Sequence, residues 1–135
     1  MENNPTMMVV AAVLADGAGR VLLQQRPPGR SMAGLWEFPG GKVEPHEVPE
    51  AALVRELEEE LGIAVDGADL VPAAFASAPV GDQHMILLLY ICPRWRGEPR
   101  PLHATALKWA RIAEMPGLPM PPADVPLVRL LDALL

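Results

Sequence analysis

The chain has 135 residues, a formal net charge of −6 and a hydrophobic content of 50%, which suits one domain spanning residues 1–135 that folds around a core of its own. Its single cysteine excludes an intramolecular disulfide and fits a cytoplasmic protein. The acidic charge argues against direct nucleic-acid binding, and the longest apolar run, Met85 to Cys92, is too short to cross a bilayer.

The segment MENNPTMM has neither a basic region nor a long apolar stretch behind it, so no secretory signal is predicted. Apolar runs bounded by turn residues then predict strands at 8–14 and 21–25. A helix follows from Pro49 to Leu61, because proline suits a first helical turn and Gly62 suits the position just past the end.

Three further strands are predicted at 70–76, 85–92 and 106–112, and a C-terminal helix with a leucine-rich face at 125–135. Strands and helices mixed in this order predict a mostly β core flanked by helices.

In the first predicted helix, three carboxylates share one face. At about 100° per residue, Glu56, Glu59 and Glu60 fall within an arc of roughly 100°. Such carboxylates repel each other unless a cation lies among them, and Mg²⁺ prefers oxygen ligands. The pattern predicts a site for Mg²⁺, or alternatively Mn²⁺, which Glu47 could join and in which Arg55 could orient a carboxylate.

The segment from Gly41 to Ile63 reads GKVEPHEVPEAALVRELEEELGI. It resembles the Nudix box, G-x5-E-x7-R-E-U-x-E-E-x-G-U with U apolar, at every fixed position. The matching residues are Gly41, Glu47, Arg55, Glu56, Leu57, Glu59, Glu60, Gly62 and Ile63. This match disfavours the alternative interpretation of the glutamates as a solvated helix face with one salt bridge.

The stretch AGLWEFPGGK, the preceding Gln25-Arg26, the RGEP at 96–99 and the late PPADVPL resemble the MutT branch of the Nudix hydrolases. This resemblance implies an α/β (α+β) fold in which a mixed β-sheet is sandwiched between helices. It implies hydrolysis of a nucleoside triphosphate at the β-phosphorus, giving a nucleoside monophosphate and pyrophosphate. A monomer or homodimer is expected. The expected substrate is 8-oxo-dGTP, whose removal sanitises the nucleotide pool and protects DNA.

The same resemblance implies roles for individual residues. The carbonyl of Gly40 and the carboxylates of Glu56, Glu59 and Glu60 are expected to hold the metal, with Glu60 the first choice for a direct ligand. Glu56 is favoured as the carboxylate that activates the attacking water, and Arg55 completes the catalytic set.

Arg26 matches an arginine that contacts substrate in MutT-like enzymes, and its guanidinium suits a phosphate group. The alternative for Arg26 is a solvated charge after a strand. Glu37, Phe38 and Pro39 directly precede Gly40 and are expected to border the nucleotide.

Two positions depart from the MutT pattern. Asp124 stands where proteins that recognise 8-oxoguanine typically carry asparagine. An ionised aspartate only accepts hydrogen bonds, so it would read 8-oxoguanine through a donor edge or as a protonated carboxyl; the alternative is a helix N-cap. His103 stands where relatives often carry a glutamate near the metals, and His46 and His84 are interpreted as surface or packing residues.

Two other functions stay open. Bacterial CTP pyrophosphohydrolases also carry a PAD motif like the one ending at Asp124, so CTP or a 5-substituted dCTP is an alternative substrate. A non-catalytic Nudix domain that senses a nucleotide is an alternative of another class. Such domains commonly lose box glutamates, and their retention here favours catalysis.

Overall fold

The structure is a computed structural model that describes residues 5–135. Residues 1–4, part of the segment in which no secretory signal is predicted, lie outside the described residues. The elements follow in the order β1 (Thr6–Leu14), β2 (Arg20–Gln25), β3 (Trp36–Glu37), β4 (Gly40–Lys42), α1 (Pro49–Leu61), β5 (Val71–Val80), β6 (Gln83–Cys92), β7 (Leu107–Arg111) and α2 (Val125–Leu134), with 3₁₀ turns at Gly67–Asp69 and Ile112–Gly117.

The strands form a four-stranded sheet of order β4-β1-β6-β5 and a three-stranded sheet of order β3-β2-β7. In the larger sheet β1 pairs with β6 in parallel, with Val9 opposite Leu87, and the other pairs are antiparallel. The predicted mixed sheet between helices is confirmed. The second sheet was not predicted, because the turn after β1 sends β2 into a separate layer; the bridge from Ala15 to Val21 lies where the chain leaves β1.

Two apolar cores occupy the two faces of the mixed sheet. Side chains alternate along a strand, so Val10 and Ala12 of β1 pack in the core that includes α1, whereas Ala11 and Val13 pack in the core that includes α2. The sheet is thus covered by a helix on each side. This arrangement brings the α1 glutamates and the beginning of α2 to the same sheet from opposite faces.

Helix α1 has the predicted bounds. Pro49 occupies its first turn, and Gly62 ends it in a left-handed conformation with φ 71°, where its N–H donates to the Glu58 carbonyl at 3.0 Å. Leu53 and Leu57 are fully buried against the sheet. Because this face is anchored, two glutamates of the neighbouring face, Glu56 and Glu60, lie against β4.

Strand β5 is longer than predicted and ends at Val80 rather than at residue 76. Gly81 and Asp82 connect it to β6 by a two-residue turn in which Gly81 has φ 59°. Glycine adopts this backbone conformation without a Cβ clash, so pairing continues to Val80 opposite Gln83. In residues 5–135 the structure contains no helix long and apolar enough to cross a membrane.

Candidate active site

A cleft of about 530 Å³ lies between the mixed sheet, α1 and the segment before α2. Part of its wall is apolar, because Val9, Leu87, Met85 and Ala78 are neighbours on adjacent strands and all face it. The polar part of the wall contains Arg26, Glu37, Lys42, Glu56, Glu60 and Asp124, with the backbone of Gly40 and Gly41 beside them. A ligand with an apolar ring and a charged chain matches this division.

Glu60 is the most constrained carboxylate of α1 in the cleft. Its Oε1 accepts hydrogen bonds from the Gly40 N–H and from Gln24 Nε2, each at 3.2 Å. Burial raises the pKa of Glu60 to about 7, helped by the negative charges of Glu56 and Glu37. Within residues 5–135 its Oε2 makes no hydrogen bond, and that oxygen is available to a ligand.

Glu56 lies one helical turn before Glu60 and against the backbone of β4. Its Oε1 accepts a 2.7 Å hydrogen bond from Arg55 Nη1. Its Oε2 lies so close to Gly41 that a Cβ atom on that residue would be 2.2 Å away. Burial raises the pKa of Glu56, and the Arg55 guanidinium partly offsets that shift. The glycine required by the Nudix box therefore makes room for this carboxylate.

Arg55 lies outside the cleft wall and contacts residues beside it. Its Nε and Nη2 bond both carboxylate oxygens of Glu47, at 2.8 and 2.9 Å, and Nη2 also donates to the Lys42 carbonyl at 3.1 Å. These bonds lower the pKa of Glu47 to about 2. The guanidinium of Arg55 therefore joins the loop before α1 to β4 and to Glu56. Glu47 is a hydrogen-bond partner of Arg55 and does not line the cleft.

Glu59 does not join the cluster that its helical position predicts. Its side chain is 50% exposed, lies 3.4 Å from Arg55 Nη1 and is absent from the cleft wall. Without a cation, three carboxylates at one point would repel each other, and an exposed side chain is free to turn toward Arg55. Among the described residues, no three Asp, Glu, His or Cys side chains lie close enough together to hold a metal.

Arg26 and Glu37 form an ion pair in the cleft wall. Arg26 Nη1 donates to Glu37 Oε1 at 2.9 Å, and its other nitrogens contact the carbonyl and hydroxyl of Ser31. Burial raises the pKa of Glu37 although Arg26 opposes the shift. Arg26 is therefore not the solvated charge of the alternative interpretation: it is held in the cleft and holds the loop after β2.

Asp124 is 6% exposed and lies in the cleft wall just before α2. Asp124 occupies the N-cap position of α2, as the alternative interpretation predicts, but its side chain caps no helical N–H; instead Oδ2 accepts the Phe38 N–H at 3.2 Å. Burial, and to a lesser extent the charge of Glu37, raise the pKa of Asp124 to about 7. The carboxyl can therefore be a hydrogen-bond donor near neutral pH.

Phe38 contributes to the cleft wall, but Pro39 does not. Pro39 is buried, and its carbonyl accepts the Ala12 N–H at 2.9 Å, which joins the segment between β3 and β4 to β1. The prediction that Pro39 borders the nucleotide is not met here, because successive residues of an extended chain face opposite sides. Gly40 is in the wall, and a Cβ on it would be 1.9 Å from the Val10 carbonyl.

His103 is exposed and is not part of the cleft wall. The loop that contains His103 nevertheless lies beside the end of α1, because the Leu102 N–H donates to the Glu60 carbonyl at 3.1 Å. The same loop contacts the end of β2, where the Thr105 N–H donates to the Gln25 carbonyl at 3.0 Å. His46 and His84 also lie outside the wall. His84 Nε2 contacts the Ser77 hydroxyl across the β5–β6 hairpin, which agrees with a surface role.

Besides Arg30, Ser31, Lys42 and Gln83, which are polar residues of the cleft wall, the sequence interpretation missed Gln24. It is 2% exposed, and its amide contacts both Glu37 and Glu60. The sequence does contain an indication of its burial. Gln24 lies two residues after the core residue Leu22 in the same strand, so both side chains face the same side of the sheet, where an apolar side chain is expected.

The family comparison covers nearly the whole chain, because the NUDIX domain model matches residues 5–131. The chain belongs to the Nudix family. It is 40% identical over 128 residues to the CTP pyrophosphohydrolase of Escherichia coli K12, covering 95% of this chain and 93% of that protein. It is 30% identical over 128 residues to the 8-oxo-dGTP diphosphatase of the same organism, covering 95% and 98%.

Solved structures share the fold of this chain. The solution structure of the E. coli ORF135 protein matches with a TM-score of 0.86 and 39% identity, covering 97% of this chain and 91% of that one. The crystal structure of the MutT NUDIX hydrolase from Burkholderia pseudomallei matches with a TM-score of 0.82 and 29% identity, covering 93% and 98%. The predicted MutT-like Nudix hydrolase, acting on an acid anhydride of a nucleotide, is confirmed.

Nudix hydrolases generally need a divalent metal, and the donor atoms of this cleft fit one. Glu56 and Glu60 each keep one oxygen that makes no hydrogen bond within residues 5–135, and burial raises the pKa of both carboxyls. A hard cation is stabilised by such oxygens and stabilises their ionised form in return.

Proposed function

We propose that the chain is a Mg²⁺-dependent pyrophosphohydrolase that converts 8-oxo-dGTP to the nucleoside monophosphate and pyrophosphate. The observation that carries this proposal is one cleft that contains two half-buried carboxylates of α1, Glu56 and Glu60, together with a buried Asp124 and an apolar wall. The carboxylates suit a divalent cation bound to a triphosphate, and the region of the cleft around Asp124 suits the nucleobase. The proposal treats residues 1–135 as one catalytic domain, a monomer or homodimer, located in the cytoplasm with the free nucleotides.

The metal ligands in this proposal are the Gly40 carbonyl, Glu56, Glu59 and Glu60. A bound divalent cation neutralises phosphate oxygens and lowers the pKa of a bound water. Glu56 accepts the proton of the attacking water, and Arg55 keeps Glu56 in place through its 2.7 Å bond to Oε1. Glu59 is included because of the box match, and its exposed side chain has room to turn inward.

The phosphate chain is proposed to contact Arg26, which lies in the wall near Glu37. Water attacks the β-phosphorus, and the bond from that phosphorus to the bridging oxygen of the α-phosphate breaks. The nucleoside monophosphate is the leaving group and keeps the bridging oxygen, and the oxygen of the attacking water ends in pyrophosphate. Phe38 and Gly40 border the nucleotide from the segment around β4; Pro39 supports that segment through its bond to Ala12. Mn²⁺ is proposed as a replacement ion, since it also accepts oxygen ligands.

The base is proposed to be read by Asp124. A pKa of about 7 leaves a large fraction of this carboxyl protonated at neutral pH, so it offers a donor and an acceptor as asparagine would. Recognition of 8-oxoguanine by an aspartate requires either a donor edge on the base or this protonated carboxyl. The burial of Asp124 therefore supports the oxidised purine despite the departure from asparagine.

A second candidate, a CTP or 5-substituted dCTP pyrophosphohydrolase, is favoured by the 40% identity to a protein named CTP pyrophosphohydrolase. In that case Asp124 would be ionised and would accept from the exocyclic amino group of cytosine. The two candidates use the same carboxylates, so they differ only at the base.

Purified protein with Mg²⁺ is assayed against 8-oxo-dGTP, dGTP, CTP and 5-methyl-dCTP, with pyrophosphate and phosphate detected separately. We expect pyrophosphate as the product and the highest kcat/KM for 8-oxo-dGTP. Higher values for both cytosine nucleotides would replace the first candidate by the second. No hydrolysis of any nucleotide with Mg²⁺ or Mn²⁺ would favour the nucleotide-sensing domain.

A further inference from the structure

Gln24 is the buried polar residue that the proposed reaction does not use. It lies in β2 with 2% of its surface exposed, and it is directly opposite Glu37 of β3 in the strand register. Its Nε2 donates to Glu37 Oε2 at 3.3 Å and to Glu60 Oε1 at 3.2 Å. One amide group thus connects a carboxylate of the small sheet with a carboxylate of α1.

The orientation of the amide follows from its partners. Two carboxylate oxygens face the same end of the side chain, and a carbonyl oxygen there would be repelled by both, so the NH₂ group must point toward them. The opposite atom, Oε1, is buried and makes no hydrogen bond within the described residues. A buried acceptor without a partner is unfavourable, so this glutamine is not explained by fold stability alone.

The contacts form a continuous chain across the cleft. Arg26 donates hydrogen bonds to the Ser31 carbonyl and to the Glu37 carboxylate. Gln24 joins Glu37 to Glu60. The Gly40 N–H donates to Oε1 of Glu60, the same oxygen that Gln24 contacts. Because both donors use Oε1 of Glu60, its Oε2 remains without a bond inside the protein. Loss of the Gln24 donor would leave Glu60 Oε1 with one hydrogen bond, the 3.2 Å bond from the Gly40 N–H.

We propose that Gln24 is a positioning residue that fixes Glu60 with Oε2 directed to the divalent cation and holds Glu37 beside it. Gln24 itself touches neither metal nor substrate; it acts through the two carboxylates. This inference rests on the proposed function because it takes Glu60 as a metal ligand. It goes beyond the Nudix box, since Gln24 lies 17 residues before the first box position, Gly41.

The test compares Gln24→Met with Gln25→Met. Methionine is close to glutamine in length and shape but removes both N–H donors and the unpartnered oxygen. Gln25 is the neighbouring residue of β2; its amide bonds the Gly34 carbonyl at 3.2 Å and contacts no carboxylate. The readouts are Mn²⁺ binding to nucleotide-free protein by electron paramagnetic resonance, the melting temperature, and kcat and KM with Mg²⁺.

For Gln24→Met we expect a melting temperature equal to or above that of the unsubstituted protein. The dissociation constant for Mn²⁺ should rise roughly 10-fold, and kcat should fall roughly 10- to 100-fold, as is usual when a group that orients a metal ligand is removed. KM should change less than about threefold, because Glu60 and not the nucleotide is displaced. Gln25→Met should leave all four quantities unchanged.

Unchanged Mn²⁺ binding and kcat in a folded Gln24→Met protein would overturn the proposal, as would equal losses in Gln25→Met. If Gln24→Met does not fold, Gln24→Asn replaces it: the amide stays, but its nitrogen is withdrawn by about one carbon–carbon bond, roughly 1.5 Å, and cannot reach both carboxylates. The same losses are expected, and their absence overturns the proposal. A protein with the natural sequence that neither binds Mn²⁺ nor hydrolyses a nucleotide would instead refute the proposed function, and this inference with it.

Discussion

Gly41 and Glu56 are in such close contact that no side chain fits between them. A Cβ atom on Gly41 would be 2.2 Å from Glu56 Oε2 and 2.4 Å from Cδ. On its other oxygen, Glu56 is held by Arg55 at 2.7 Å. The carboxylate is therefore fixed between the backbone of β4 and a guanidinium, and its position depends on both.

Substitution Gly41→Ala should move Glu56 without unfolding the protein. The added methyl group requires the carboxylate to leave its position, so kcat with Mg²⁺ should fall roughly 10- to 100-fold. The matched control is Gly17→Ala, because a Cβ at Gly17 meets no atom within 4 Å. Steady-state kinetics on both variants check this, and equal activity of the two would contradict the role given to the contact.

Glu60→Gln should separate stability from activity. Glutamine keeps both acceptor contacts of Oε1 but carries no charge, so catalysis should fall on the order of 10³-fold through loss of the metal ligand. At pH 8 without metal, the unfolding free energy should rise by on the order of 1–2 kcal/mol, because a buried carboxylate with a pKa of about 7 is no longer forced to ionise.

The control for this variant is Glu58→Gln, on the same helix but exposed and outside the cleft. It should match the unsubstituted protein in kcat and in urea unfolding. Retained turnover in Glu60→Gln would remove Glu60 from the metal site, whatever the stability result.

Asp124 should make the metal-free protein less stable as the pH rises. Its pKa is near 3.8 in an unfolded chain and about 7 in the folded protein, so between these values the folded form binds more protons. The unfolding free energy therefore decreases with increasing pH across that window and levels off above pH 7. Glu60, Glu56 and Glu37 act in the same direction, since burial raises the pKa of each.

The variant Asp124→Asn should reduce this slope, because asparagine does not titrate. At pH 8 it should be more stable than the unsubstituted protein by on the order of 2–4 kcal/mol, measured by urea unfolding in EDTA. Its kcat/KM for 8-oxo-dGTP at pH 8.5 should be at least as high, because the amide always carries a donor. A selective loss of 8-oxo-dGTP hydrolysis would instead require the ionised carboxylate.

Arg55→Lys should disrupt the loop before α1 while the charge is kept. An ammonium group cannot reproduce the two bonds of 2.8 and 2.9 Å to Glu47. The pKa of Glu47 should rise from about 2 toward its ordinary value near 4.5, visible by carboxyl NMR titration, and kcat should fall roughly tenfold. Arg94→Lys, which changes the exposed pair with Asp69, serves as control and should leave kcat unaltered.

Much of the local structure was predictable because it depends on local signals. Pro49 and Gly62 bound α1 as predicted, and the apolar run at 85–92 lies within β6. The assignment of strands to two sheets was not predictable in this way, since it depends on pairing between residues as distant as Val9 and Leu87. The short strands β3 and β4, of two and three residues, carry too little periodicity to be recognised.

The candidate site likewise contains residues that sequence patterns predicted and contacts that they did not predict. The box match identified Gly41, Glu56 and Glu60, which meet at the cleft. The box match and the helical geometry also placed Glu59 with them, but its side chain is 50% exposed and lies 3.4 Å from Arg55 Nη1. The contact of Asp124 with Phe38 and that of Gln24 with Glu60 join parts of the chain far apart in sequence, and no local pattern reports them.

The parallel pairing of β1 with β6 also constrains how the protein is made. β1 ends at Leu14, whereas its partner is finished only at Cys92, so a growing chain keeps one edge of β1 open until most of it has left the ribosome. Closing a loop of this length makes sheet formation a late and slow step in folding. Variants that weaken β6 should consequently be recovered as aggregates from rapid synthesis more often than variants that weaken α1.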